Sequence, residues 1–240
     1  MSFLRSVVLK RDEVESFGRY PYAVPAIRTL DELELDPAVT LLVGENGSGK
    51  STLVEAIAVA AGFNAEGGSR NMRFATRDSV SDLHEHLRLV RTGRRPRTGF
   101  FLRTESFFNV ATQVEELGAE IASAYGERSL HEQSHGESFL SLVTNRFGRD
   151  GLYLLDEPEA VLSVRGILAL IRRMHDLVAE GSQFVVATHS PILLGFPAAT
   201  IYELGEDGFA RVAWEQTEHV QLTRSFLEDP GRFLRHLLAD

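Results

Sequence analysis

The chain has 240 residues, 43% of them hydrophobic, with 34 acidic against 25 basic side chains and a formal net charge of −9. That length suits one larger domain rather than two, and the apolar content supports a core. No cysteine is present, so disulfides and cysteine-ligated metals are excluded, and no run is long and apolar enough to span a membrane. The acidic balance argues against nucleic-acid binding by bulk electrostatics but leaves a local basic patch open. The first six residues lack the apolar run of a signal peptide, and a cytoplasmic protein is expected.

In chain order, residues 3–10 are apolar and β-branched and read as a strand. The segments Tyr20-Pro21-Tyr22 and Val24-Pro25-Ala26-Ile27 carry prolines that suit an edge or a loop. Tyr20 or Tyr22 could stack on an adenine from this arm, or either could pack the sheet edge.

Residues 39–43 read as a buried strand and residues 52–61 as a helix. Between them, Gly44-Glu45-Asn46-Gly47-Ser48-Gly49-Lys50-Ser51 fits G-x-x-x-x-G-K-[ST], a phosphate-binding loop in its strand–loop–helix context. Backbone N–H groups of such a loop turn inward around phosphate oxygens, and the following helix adds its N-terminal dipole. Lys50 is expected to reach the β- and γ-phosphates, Ser51 to ligate Mg²⁺, and Thr52 to lie near the α-phosphate.

Residues 62–70 form a loop by their glycines. Arg88, Arg91, Arg94, Arg95, Arg97 and Arg103 then crowd one stretch with no acid between positions 87 and 104. This run either holds nucleic-acid phosphates or is a solvated hairpin. Residues 99–103 read as a buried strand, 106–125 as a helix with an acidic face, and 136–147 as a second short helix. An apolar run from Gly151 ends on two carboxylates, Asp156 and Glu157. Residues 161–180 read as an amphipathic helix stopped by Gly181. Residues 183–188 read as a buried strand closed by His189-Ser190-Pro191. Residues 199–204 and 209–214 flank a turn at Gly205-Glu206-Asp207-Gly208, and 216–239 read as helical.

In open α/β sheets, ligands sit beyond the carboxyl ends of the strands. Four strand ends carry chemistry here: Gly44 onward, Glu105, Asp156-Glu157 and His189. Asp156 is expected to hold Mg²⁺ directly or through water. Glu157 would polarise the attacking water, and His189 would contact the γ-phosphate or that water.

The order of these motifs resembles the ATP-binding-cassette (ABC) ATPases over nearly the whole chain. Gly44–Ser51 looks like Walker A, Leu152–Glu157 like Walker B with its catalytic glutamate, and His189 like the switch histidine. Gln133-Ser134-His135-Gly136-Glu137 resembles the signature sequence Leu-Ser-Gly-Gly-Gln, and residues 158–163 occupy the place of the D-loop. Within the superfamily the chain is most similar to small bacterial ATPases without transporter domains.

Two motifs depart from the pattern. Glu105 stands where the family has the Q-loop glutamine, though a glutamate could still bind Mg²⁺ or water. The signature has His135 for its first glycine and Glu137 for its glutamine, while Ser134 and Gly136 are kept.

The resemblance implies an α/β fold: a mostly parallel core sheet with flanking helices, an N-terminal antiparallel β region and a helical lobe near 106–147, all in one domain over 1–240. It implies Mg²⁺-dependent ATP hydrolysis with Lys50, Glu157 and His189 in catalytic roles. It also implies a homodimer formed on ATP, with Ser134 and Gly136 reaching the partner's γ-phosphate. The alternatives are the ATPase subunit of a transporter, a nucleic-acid-associated ATPase and a non-hydrolysing regulator. The altered Q-loop and signature argue against the transporter, and Glu157 argues against the regulator.

Overall fold

The computed structural model describes residues 2–69, 81–104, 107 and 133–238. Among the described residues, nine strands fall into two sheets: β1 (Leu4–Leu9), β2 (Glu32–Glu34), β3 (Val39–Gly44), β4 (Leu87–Arg91), β5 (Thr98–Arg103), β6 (Gly151–Asp156), β7 (Gln183–Ala187), β8 (Thr200–Gly205) and β9 (Gly208–Val212).

The core sheet has six strands in the order β5-β6-β7-β3-β8-β9. All its pairings are parallel except the β8–β9 hairpin. Strands β3, β6 and β7 are buried at every residue. That is why they read as continuous apolar runs rather than alternating ones: a parallel sheet is covered on both faces. Period-two geometry still sorts their side chains. Leu41, Val43, Tyr153, Leu155, Phe184 and Val186 fill the core on one face, and Leu42, Leu154, Val185 and Ala187 fill the core on the other.

The first core receives helix α3 (His135–Arg146) and helix α4 (Val164–Ala179). In α4 the buried stripe is Ile167, Leu170, Met174 and Leu177, the spacing of one helical face. The second core receives helix α2 (Lys50–Ala60) and the antiparallel sheet β2-β1-β4. The expected antiparallel region is therefore present, and its third strand comes from the arginine-rich stretch.

One polar side chain ties the two sheets. Gln183 is fully buried on β7. Its Oε1 accepts from the N–H groups of Phe3 and Leu4, each at 2.9 Å, and its Nε2 donates to the carbonyls of Leu4 and Asp36, each at 2.8 Å.

Local boundaries differ from expectation where short polar residues intervene. Pro25–Arg28 forms a one-turn helix, α1, with proline at its start. The helix expected from 161 begins at Val164, because Pro158–Ala160 is a 3₁₀ turn and Ser163 caps α4 by accepting from the Gly166 N–H at 3.2 Å. Pro191–Leu194 forms a further one-turn helix, α5. The C-terminal helix is two helices, α6 (Glu218–Glu228) and α7 (Pro230–Leu237), broken at Asp229 because Pro230 offers no N–H to α6. Of the helical lobe expected near 106–147, only Phe107 and residues 133–147 are among the described residues.

Candidate functional site

Register brings the chemistry together. Leu42 of β3 lies beside Ala187 of β7, Ala187 beside Asp156 of β6, and Asp156 beside Arg103 of β5. The residues that follow these strand ends share one edge of the core sheet.

The loop after β3 has the backbone of an anion cradle. Gly47 and Gly49 take φ of +81° and +98°, and Gly49 stands at the N-terminus of α2. A side chain at Gly49 would be strained by that φ and would come within 2.9 Å of Val24 Cγ1. Gly44 meets a different limit: a Cβ there would sit 2.4 Å from the Leu204 carbonyl oxygen.

Lys50 opens α2 with 3% of its surface exposed. Its Nζ donates to the carbonyls of Gly44 at 2.7 Å and Glu45 at 3.0 Å. Among the described residues, no carboxylate lies within ion-pair distance of it. Burial holds this amine below the usual lysine range, while Glu157, Asp156, Glu159 and Glu45 pull it the other way. A buried amine whose hydrogen bonds go to two carbonyls, with no ion-paired carboxylate among the described residues, is a site prepared for an anion.

The two tyrosines separate. Tyr22 is fully buried, with its hydroxyl 3.1 Å from Asp82 Oδ1 and 2.8 Å from His86 Nδ1. It is a packing residue and offers no ring face to a ligand. Tyr20 is 67% exposed, and its hydroxyl lies 3.1 Å from Thr52 Oγ1 at the start of α2.

Asp156 ends β6 and is buried. Its Oδ2 lies 3.8 Å from Arg103 Nε, and Arg103 Nη1 donates to Glu55 Oε2 at 2.5 Å. Glu157 follows in the left-handed region, at φ 49° and ψ 53°, a conformation that costs a non-glycine residue about 1–2 kcal/mol. Its backbone is held from two sides: its N–H donates to the Ala187 carbonyl at 2.9 Å, and its carbonyl accepts from Thr104 Oγ1 at 2.7 Å. Such strain, locked by neighbours, is common where a side chain must be aimed.

Glu157 Oε1 lies 3.3 Å from His189 Nε2. That nitrogen is buried and has no hydrogen-bond partner among the described residues. On the other side of the ring, His189 Nδ1 lies 3.0 Å from His219 Nε2, and the backbone N–H of His189 donates to Glu159 Oε1. Burial, followed by the charge of Lys50, lowers the proton affinity of His189, and Glu157 opposes this.

The signature-like segment forms the start of α3. Ser134 is the N-cap in a reciprocal capping box with Glu137. Ser134 Oγ donates to Glu137 Oε2 at 2.7 Å, and Ser134 is exposed. A Cβ on Gly136 would come within 2.8 Å of the Val161 carbonyl oxygen, so this helix start leans on the D-loop segment at a distance only glycine permits. Among the described residues, Ser134's hydrogen bonds stay within its own helix turn, and none reaches the loop at 44–51.

The loop, Asp156, Glu157 and His189 therefore share one edge of the core sheet, while the contacts of Ser134 and Gly136 are to the start of α3 and to Val161. Glu105 lies outside the described residues. The arginine run does not act as one surface. Arg103 turns inward to Glu55, and Arg94 and Arg97 both pair with Asp150. Arg88, Arg91 and Arg95 are exposed.

Sequence reasoning missed Thr104, Glu159 and His219. Each touches the site through the fold, from 30 to 53 positions away. Only Glu159, two residues past Glu157, carried a local hint.

Comparison with known proteins gives a consistent picture. Residues 14–116 match a family described as an AAA domain. The chain is 29% identical over 204 residues to the ribose import ATP-binding protein RbsA of Bacillus cereus, covering 75% of this chain and 40% of that protein. It is 28% identical over 175 residues to the RbsA of Geobacillus kaustophilus, covering 63% and 34%. The chain thus spans well under half the length of these curated relatives. Among solved structures, an ABC transporter assigned to the metal-chelate type, in an inward-facing conformation, shares the fold at a TM-score of 0.52. That match has 15% identity and covers 93% of this chain and 88% of that one.

Proposed function

We propose that this chain, an ABC-type P-loop ATPase, binds ATP with Mg²⁺ on its own loop and hydrolyses it as a soluble switch that dimerises on ATP. The observation that carries the reading is Lys50, a buried ammonium held by two carbonyls inside a glycine cradle. In this reading the backbone of residues 44–49 wraps the β-phosphate, Lys50 spans the β- and γ-phosphates, and Thr52 lies by the α-phosphate. The exposed ring of Tyr20, beside Thr52, stacks on the base.

Mg²⁺ fits the donors present, which are hard oxygens: the Ser51 hydroxyl and the Asp156 carboxylate, with Glu105 as a further candidate. Bound there, it would offset charge on the phosphates. Among the described residues no group of three or more His, Asp or Glu could hold a metal, so the remaining ligands would be phosphate and water oxygens. Glu157 orients and polarises the attacking water. His189 is neutral and donates from Nε2 to the γ-phosphate. In this reading 1–240 works as a single domain, and its lack of cysteine suits the cytoplasm.

One chain has one loop and one signature-like helix start, and among the described residues no hydrogen bond of Ser134 joins them. Two chains packed with two-fold symmetry would place Ser134 and Gly136 of each against the γ-phosphate held by the other. A second reading, the ATPase subunit of an importer, is supported by the names of the RbsA relatives. Among the described residues no helix is long and apolar enough to cross a membrane. Co-purification with a membrane protein would favour this second reading.

The test is ATP binding and turnover by the purified chain beside Lys50→Ala. The wild type is expected to turn over Mg-ATP, and the variant to lose turnover and bind ATP at least tenfold more weakly. Equal affinity and turnover in both would overturn the assignment.

A further inference from the structure

We infer that His219 is a positioning residue for hydrolysis: its Nε2–H donates to Nδ1 of His189 and fixes His189 in the tautomer whose Nε2–H faces Glu157 and the γ-phosphate. This rests on the reading of the site as an ATPase centre.

Four ring nitrogens decide the direction of the bond. His189 Nε2 lies 3.3 Å from a Glu157 carboxylate oxygen, which can only accept. His189 Nδ1 and His219 Nε2 are 3.0 Å apart, so one donates and the other accepts. His219 Nδ1 is buried with no partner among the described residues. If His189 Nδ1 carried the proton, His219 Nε2 would have to accept. The proton of a neutral His219 would then sit on Nδ1, buried with nothing to receive it. With a neutral His189, its bare Nε2 would also face the carboxylate, lone pair to lone pair. Stranding a buried donor is the costly error. In the opposite chain His219 Nε2–H donates to His189 Nδ1, His219 Nδ1 is left bare, and the His189 Nε2–H, although it makes no hydrogen bond among the described residues, faces an acceptor 3.3 Å away rather than nothing.

The fold is built to hold this geometry. His219 lies in the first turn of α6, whose opening N–H, on Glu218, donates to Glu203 Oε1 at 2.9 Å. Val220 beside it is buried in the core. Just upstream, Trp214 Nε1 donates to the Pro191 carbonyl at 2.9 Å, two residues past His189. The two imidazoles are therefore carried on segments bonded to each other, with ring centroids 5.1 Å apart. An orienting partner that fixes a histidine's tautomer lets the far nitrogen act without a preceding proton shuffle.

The test uses the full chain. In nucleotide-free protein labelled with ¹⁵N-histidine, the bare nitrogen of His189 is expected to be Nδ1. His219→Phe keeps the ring but removes the donor. It should mix the His189 tautomers and lower kcat for ATP about tenfold, the rate equivalent of one neutral hydrogen bond, with KM within about twofold. His219→Gln keeps an amide donor at the same reach and should restore both the tautomer and most of kcat. In a His189→Ala background, His219→Phe should cost no further rate. A His189 ring bare at Nε2 in the wild type overturns the proposal. So does a wild-type kcat for the phenylalanine variant, or equal losses in both variants at unchanged melting temperature. Absence of ATP turnover in the wild type would instead sink the ATPase reading, and the spectrum would still decide the tautomer.

Discussion

The Thr104 hydroxyl lies against two consecutive carbonyls, that of Asp156 at 3.1 Å and that of Glu157 at 2.7 Å. It comes from the residue after β5 and grips the turn where the chain leaves β6. Glu157 holds its left-handed backbone partly through this contact, and its carboxylate is aimed by that backbone.

Thr104→Val preserves shape and removes the donor. Two carbonyls then lose a partner, at a cost of about 1–2 kcal/mol of stability. We expect kcat for ATP to fall about tenfold, through looser aim of Glu157, with ATP affinity within about twofold of wild type. Equal kcat in stopped assays of the two proteins would show that the grip has no catalytic part.

Gln183 predicts a stability effect far from the chemistry. Gln183→Leu fills the same space but strands two N–H groups and two carbonyls between the sheets. The expected loss is about 3 kcal/mol in denaturant unfolding. A loss below about 0.5 kcal/mol would mean that the two sheets do not depend on this link.

Assembly gives the third prediction. Glu157→Gln keeps the groups that bind ATP but lacks the base that would release the closed state. It should double its mass by light scattering when Mg-ATP is added, and return to monomer when ATP is removed. Adding Ser134→Arg, at the exposed cap of α3, should block that dimer. No change of mass with Mg-ATP would rule out a nucleotide sandwich for this protein.

Much of this was legible in the sequence because the signals were local. The buried strands announced themselves as apolar runs, and the loop at 44–51 as fixed glycine and lysine spacing between a strand and a helix. The residues that contact the proposed catalytic groups were not legible. Thr104 reaches Glu157 across 53 positions and His219 reaches His189 across 30, and only strand order brings them together. Tyr20 and Tyr22 looked equivalent, since no pattern in a proline-rich arm says which ring is buried. Arg103 looked like part of a basic surface. Its place beside Asp156 at the end of β5, and Glu55 on the facing helix, turned it inward.

The central claim is that Glu157 activates water against ATP held by the loop at 44–52. Phosphate release from Mg-ATP, measured beside equilibrium ATP binding for wild type and Glu157→Gln, tests it most directly. The account predicts steady turnover by the wild type, and a variant that binds ATP as tightly but turns over on the order of 10²–10⁴-fold more slowly. A variant that hydrolyses ATP at the wild-type rate would contradict it.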